Sequence, residues 1–285
     1  MQKLDRLGWA EGFSFTSYGV KIGLRTSKSG FVESLVGLLP PGWEVSDDPR
    51  VHAMYSFVVG GSDPRRNVRL LNLVYANSRR VARERELKTA LDLFEADLRL
   101  CVAYKARRRV FVHAGVVGWK GEAIVIPGRT FSGKTTLVAA LIKLGAEYYS
   151  DEYAVLDLKG RVHAFPRPLS VREGSAPQGT PHSIEEFGAV AGKKPLPMGL
   201  VVDTHYRDGA LWRPREVSRG AAVLALLNNP VSARSRPARN MPVLRRAVSE
   251  ASAQKGVRGE AEGVAYRILS EVDIRMKWNR KCTQR

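Results

Sequence analysis

Ala123-Ile124-Val125-Ile126-Pro127-Gly128-Arg129-Thr130-Phe131-Ser132-Gly133-Lys134-Thr135-Thr136 is the stretch on which the reading of this chain turns. Four apolar residues predict a short buried strand, and a G-x-x-x-x-G-K-T loop follows it at once. Leu137, Ala140, Leu141 and Leu144 recur at helical spacing, so a helix with that buried face is expected behind the loop, with Gly145 as its C-cap. Strand, glycine-rich loop and helix in this order predict a phosphate cradle. Gly128 and Gly133 allow a tight backbone, and the loop amides and helix N-terminus favour anions. Lys134 is expected to reach the β- and γ-phosphates, the Thr135 hydroxyl to ligate Mg²⁺, and Thr136 to donate to the α-phosphate. Arg129, Thr130, Phe131 and Ser132 complete the nucleotide-binding set, with ATP and Mg²⁺ as the expected ligands.

The loop alone does not choose among kinases, GTPases, ABC-type ATPases and motors. Asp157-Leu158-Lys159-Gly160 has the form D-x-x-G, but no N-K-x-D follows, so Lys159-Gly160 reads as a hairpin turn. No L-S-G-G-Q supports the ABC class. A carboxylate that handles the metal or accepts a proton belongs at the end of a neighbouring strand. Asp151-Glu152, Asp157 and Asp203 are the candidates, and the acidic pair is preferred because it follows the loop helix closely.

Outward from this centre, two regions are expected. Residues 1 to about 105 read as a small α+β region. Val20, Ile22 and Leu24 alternate as in a strand, and Phe31, Leu35 and Leu38 are spaced as in a helix that Pro40-Pro41-Gly42 stops. Met54 to Val59 and Val68 to Tyr75 read as strands joined by a turn at Gly60-Gly61-Ser62-Asp63-Pro64. Leu87, Leu91, Phe94, Leu98 and Val102 form one apolar helical stripe. The second region, 106–285, opens with a strand through Val110-Phe111-Val112 and reaches the loop after a Lys120-Gly121 turn. It continues through strands at Ala154 to Leu158, Val162 to Phe165 and Leu200 to Asp203. Residues 164–199 are rich in Pro, Gly and Ser and predict a functional loop or lid; Arg167 and Arg172 in it are candidate phosphate clamps. The remainder reads as mainly helical, with a frayed basic tail.

Composition bounds the function. Of 285 residues, 44% are hydrophobic and 26% charged, as in ordinary globular proteins, and no apolar run is long enough to span a bilayer. With no secretory signal at Met1 to Arg6, a cytoplasmic protein is expected. Cys101, placed on an apolar helical face, and Cys282, in the basic tail, suggest neither a disulfide framework nor a zinc site. The net charge of +18 favours polyanionic partners. The basic residues come in scattered pairs and triplets without interleaved aromatics, which argues against a nucleic-acid surface.

His113, the strand from Ala123 to Ile126, the loop, Gly145 and Ser150-Asp151-Glu152 together resemble the catalytic domain of HPr kinase/phosphorylase. They resemble still more the diverse HPr-kinase-related proteins with unassigned substrates. The resemblance covers about residues 110 to 165 and implies an α/β, PEP-carboxykinase-like nucleotide-binding domain with a mixed sheet and flanking helices. It implies γ-phosphoryl transfer from ATP to a hydroxyl of a protein, peptide or small molecule. Lys134 matches the family's loop lysine, Thr135 its metal-binding residue, Asp151-Glu152 its acidic pair and His113 its histidine. The implied roles are Mg²⁺ ligation by Thr135 and Asp151 and proton acceptance by Glu152 or Asp151, with His113 orienting them or touching the γ-phosphate. Self-association is also implied. The sequence departs from the family in having Glu152 where aspartate is usual. It also lacks a recognisable Glu-Arg-Gly-type motif, with Arg167 to Arg172 in that region, and no late arginine is placed by motif. HPr itself as substrate and the reverse phosphorylase activity are therefore not implied. Two other readings stand beside the kinase: a nucleotide-dependent switch or NTPase, and an ATP-binding module with reduced catalysis that uses its basic surface on an acidic partner.

Overall fold

The computed structural model describes residues 2–63, 68–69, 71–128, 132–171, 180–229, 231 and 237–283. The chain divides into two compact units, Met1–Arg108 and Arg109–Arg285. Among the described residues, no helix is long and apolar enough to cross a membrane.

In the first unit, α1 (Gln2–Asp5) precedes a hairpin of β1 (Glu11–Ser17) and β2 (Val20–Thr26). Tyr18 and Gly19 both take positive φ, as a two-residue turn matched to strand twist requires. Then come α2 (Val32–Val36), β3 (Glu44–Val45), β4 (Ala53–Val58), a ribbon of β5 (Ser62–Asp63) and β6 (Val68–Arg69), β7 (Asn72–Ala76), β8 (Arg79–Glu84) and α3 (Leu87–Lys105). The sheet order is β3-β1-β2-β4-β7-β8, and β2 and β4 run parallel.

Two expectations need correction here. The predicted strand from Val68 to Tyr75 is broken, because buried Asn72 starts a new strand: its side chain accepts from the Gly60 amide at 2.9 Å and donates to the Arg85 carbonyl at 3.1 Å. The α3 stripe is buried from Phe94 through Leu98 to Val102, but Leu87 at its start is 37% exposed. Cys101 on the same helix is half-buried and free.

Phe94 stands edge-on to Tyr55 at 5.5 Å and to Phe57 at 6.1 Å, and it is fully buried. Phe94→Ala should therefore destabilise this unit by about 3–5 kcal/mol, from lost transfer energy plus the cavity left behind. Chemical denaturation followed by circular dichroism would measure it, and a loss below about 1 kcal/mol would show that α3 does not hold the sheet.

In the second unit, β9 (Arg109–Trp119) and β10 (Glu122–Pro127) form a hairpin over Lys120-Gly121. After them come α4 (Lys134–Lys143), β11 (Glu147–Ser150), β12 (Tyr153–Asp157), β13 (Val162–His163), β14 (Leu169–Val171), β15 (Thr180–His182) and a 3₁₀ turn at Ile184–Phe187. The chain continues through β16 (Met198–Tyr206), β17 (Arg215–Glu216), α5 (Arg219–Leu227), α6 (Pro237–Ala247), β18 (Ser252–Arg258) and α7 (Ala261–Thr283). The main sheet is mixed, ordered β13-β12-β9-β10-β16-β18-β17, with β11 also paired to β9. The β10–β16 and β16–β18 pairs are parallel.

Helices cover both faces, which is an α/β arrangement. Ile124 and Ile126 of β10 pack with α4 and α7, while Ala123 and Val125 pack with α5 and α6. The uninterrupted apolar run of β10 follows from burial on both sides.

Three further expectations fail in this unit. Leu144 lies at the end of α4 and is 43% exposed, because the helix terminates before its turn can face the core; Gly145 follows in the left-handed region. The stretch 164–199 is not a free lid in its described part. Phe165, Leu169, Ile184 and Ala189 are buried, and Tyr148 exchanges backbone hydrogen bonds with Val190 and Gly192. The C-terminal part is mainly helical as expected, with β18 added inside the sheet, but helix α7 runs on to Thr283 where a frayed tail was expected.

Candidate functional site

Strand order places the chemistry. Because β12, β9 and β10 are neighbours, the start of β12 and the end of β10 flank the middle of β9 at His113 and Ala114. The Gly128 amide donates to the His113 carbonyl at 3.2 Å, and the Ala114 amide donates to the Glu152 carbonyl at 3.2 Å. The start of the glycine-rich loop, His113 and the acidic pair thus come together beside the middle of β9.

The loop leaves β10 at Gly128, whose lack of a side chain matters: a Cβ there would lie 2.6 Å from the Ser132 hydroxyl oxygen. It enters α4 through Gly133 at φ +80°. The Ser132 hydroxyl is buried and has no hydrogen-bond partner among the described residues. A buried, unsatisfied hydroxyl in a loop closed by glycines, ahead of a helix N-terminus, fits an anionic group. Thr136 is exposed on the first turn of α4. Arg129, Thr130 and Phe131, and the candidate clamp Arg172, lie outside the described residues.

The acidic pair is turned toward the loop by Ser150. This buried residue accepts the Glu152 amide at 3.0 Å and the Tyr153 amide at 2.9 Å through its hydroxyl, which bends the chain between β11 and β12. Asp151 then meets the Thr135 hydroxyl, which donates to its Oδ2 at 3.2 Å. The Tyr148 hydroxyl lies 3.1 Å from Asp151 Oδ1 and 2.9 Å from the Arg167 carbonyl, so it ties the carboxylate to the following loop. Arg167 in turn donates to Glu152 Oε2 at 3.3 Å.

The electrostatics agree with the geometry. Burial pushes the Asp151 carboxyl above its ordinary range; Tyr148 opposes this, the Glu152 charge adds to it, and Thr135 opposes it. Burial pushes the Lys134 ammonium down, against the pull of Asp151 and Glu152. The His113 imidazole is also pushed down by burial; Glu152 works against the shift and Lys134 adds to it. Its ring packs at 4.9 Å from that of Tyr153. One ammonium, two carboxylates and one imidazole therefore share a poorly solvated region, as at sites where protons or phosphates are handled.

The other candidate carboxylates are used elsewhere. Asp157 Oδ1 accepts the Lys159 and Arg161 amides, and its Oδ2 meets His163 at 2.9 Å, so the D-x-x-G look-alike is a hairpin turn. Asp203 pairs with Lys255 at 2.8 Å.

Tyr148, Tyr206 and Arg258 are close to the loop and were not singled out from the sequence. Tyr148 stands three positions before Asp151, and an aromatic residue so close to a chosen aspartate is the signal that could have found it. For Arg258 the sequence carries no such signal.

No group of three or more His, Cys, Asp or Glu side chains is placed to hold a metal among the described residues. Thr135 with Asp151 is instead the sparse set that suits Mg²⁺, which takes one or two protein ligands and completes its shell with phosphate and water. No family model matches the chain, and no curated protein matches it.

Proposed function

We propose that this protein is an ATP- and Mg²⁺-dependent phosphotransferase acting on a hydroxyl group. The observation that carries this is the contact of Thr135 with Asp151 at 3.2 Å, at the mouth of a strand–loop–helix unit whose half-buried lysine interacts with the same carboxylate. The resemblance of residues 110 to 165 to HPr kinase/phosphorylase supports the reading, as does the meeting of His113, Gly128 and Glu152 beside β9.

In this reading the loop amides and the Ser132 hydroxyl, which has no partner among the described residues, bind the phosphate chain. Thr135 and Asp151 are the residues that would hold Mg²⁺, which when bound neutralises phosphate charge. Lys134 offsets negative charge that gathers on the transferred group. Glu152 accepts the proton of the acceptor hydroxyl, and Arg167 holds its carboxylate in place. His113, kept neutral by burial, lines the same region and orients the acceptor or the phosphate. The acceptor is a protein, a peptide or a small molecule with a free hydroxyl.

The test is to incubate lysate of the source cells with γ-labelled ATP and either the wild type or Asp151→Asn. A labelled band or spot made by the wild type and missing with the variant is the expected result. Equal labelling by both, or label appearing only as free phosphate, would overturn the proposal.

A further inference from the structure

We infer that Arg258 is a positioning residue that sets the orientation of the peptide group between Gly133 and Lys134, and so aims the Lys134 amide into the phosphate cradle. This rests on the nucleotide reading above and adds to it a residue about which loop motif and acidic pair say nothing.

Arg258 ends β18, where the register pairs it with Tyr206 of β16. It is among the largest fully buried side chains of the protein, at 2% exposure. Its hydrogen bonds go to the backbone: Nη2 donates to the Gly133 carbonyl at 2.7 Å, and Nη1 donates to the Gly259 carbonyl at 2.9 Å. The Tyr206 ring lies 5.4 Å from the guanidinium carbon, and the Tyr206 hydroxyl donates to Glu260 at 2.9 Å. A buried cation is costly unless its donors are well used. Here a flat fork with fixed donor angles is clamped from one side by an aromatic face and bonded to two main-chain oxygens.

Peptide geometry turns this clamp into a consequence for the loop. In a trans peptide the C=O and the following N–H point in opposite directions, and the described chain contains no cis peptide. With the Gly133 oxygen drawn toward Arg258, the Lys134 amide hydrogen is turned away from it, to the side where the triphosphate lies in the proposed reaction. The same Gly133 oxygen accepts the Leu137 amide at 3.3 Å, so one atom links Arg258, the loop and the first turn of α4. Gly133 is suited to the place twice over. It sits at φ +80°, and a Cβ there would collide with Arg258 Nη2. Its guanidinium bonds to the Gly133 and Gly259 carbonyls, so in this inference Arg258 acts through the loop backbone, which makes it a positioning residue.

The test uses inorganic tripolyphosphate with Mg²⁺ as the probe, because it reads the cradle without a nucleoside. Titration calorimetry would compare the full-length wild type with Arg258→Met and Arg258→Lys. Lysine keeps the charge and most of the volume but cannot bond two carbonyls in one plane, and it serves if the methionine variant does not fold. Affinity for tripolyphosphate and for ATP is expected to fall by about 10- to 100-fold in both, the loss usual for a hydrogen bond to a charged group. Millimolar guanidinium should restore affinity to Arg258→Met, whose side chain replaces the arginine stem but not its head, and leave Lys134→Met as it is; a merely structural defect would not be rescued. Folded variants that bind as tightly as the wild type would overturn the role of Arg258 alone. A wild type that binds neither ATP nor tripolyphosphate would overturn the nucleotide reading, and this inference with it.

Discussion

Glu152→Gln is expected to lower the rate of phosphoryl transfer by at least about a hundredfold while changing ATP affinity by less than about threefold. The amide is nearly isosteric with the carboxylate and keeps an oxygen for Arg167, which donates to Oε2 at 3.3 Å in the wild type. The Ser150 turn and the backbone bond from Ala114 to the Glu152 carbonyl do not involve this side chain, so this part of the sheet should stand unchanged. What is lost is the capacity to accept a proton, and general-base catalysis contributes about 10²–10⁴. Single-turnover transfer from labelled ATP to an acceptor found in lysate, paired with calorimetry for ATP, separates the two quantities. Transfer at the wild-type rate would remove Glu152 from the base role.

The second large effect is expected from Lys134→Met. The lysine is pushed toward its neutral form by burial and kept charged by Asp151 and Glu152, so it stands where an ammonium acts through little water. Methionine fills similar volume and leaves the buried face of α4, Leu137 to Ile142, intact. Removing a donor aimed at developing charge costs about 10²–10³ in kcat, and the loss of a ground-state contact to the phosphates should weaken ATP binding as well. Both kcat and kcat/KM should therefore fall, with kcat/KM falling more. A variant with an unchanged KM and a normal kcat would mean that Lys134 points at nothing in the reaction.

These two variants probe residues that were legible in the sequence, and the reason is their closeness along the chain. The Thr135 and Asp151 side chains meet across 16 residues, within one strand–loop–helix–strand unit. Each segment of that unit carries its own periodicity or turn chemistry, so local rules place its parts. The hairpin at Lys120-Gly121 and the Asp157 turn were readable for the same reason. In the first unit the α3 stripe was readable from Phe94 onward, whereas β8 was not. It carries Arg79, Arg80, Arg83 and Glu84 around buried Ala82, a pattern too polar to stand out as a strand.

By itself, then, the amino-acid sequence determined a buried strand leading into a glycine-rich loop, a helix behind it with a lysine and threonine at its start, and an acidic pair one helix later. Those features depend on steric rules and spacings that act over a few residues. Tertiary structure alone decided that β18 enters the sheet, that Phe165, Leu169, Ile184 and Ala189 of the Pro- and Gly-rich stretch pack into the core, and that Asp203 is taken up by Lys255. It alone set a buried arginine against a carbonyl 125 residues away. Ser252 to Arg258 has no apolar alternation to announce it, and a hydrogen bond from a side chain to a distant peptide oxygen leaves no mark in residue spacing. Such a contact exists only once parallel strand pairing has brought the two ends together.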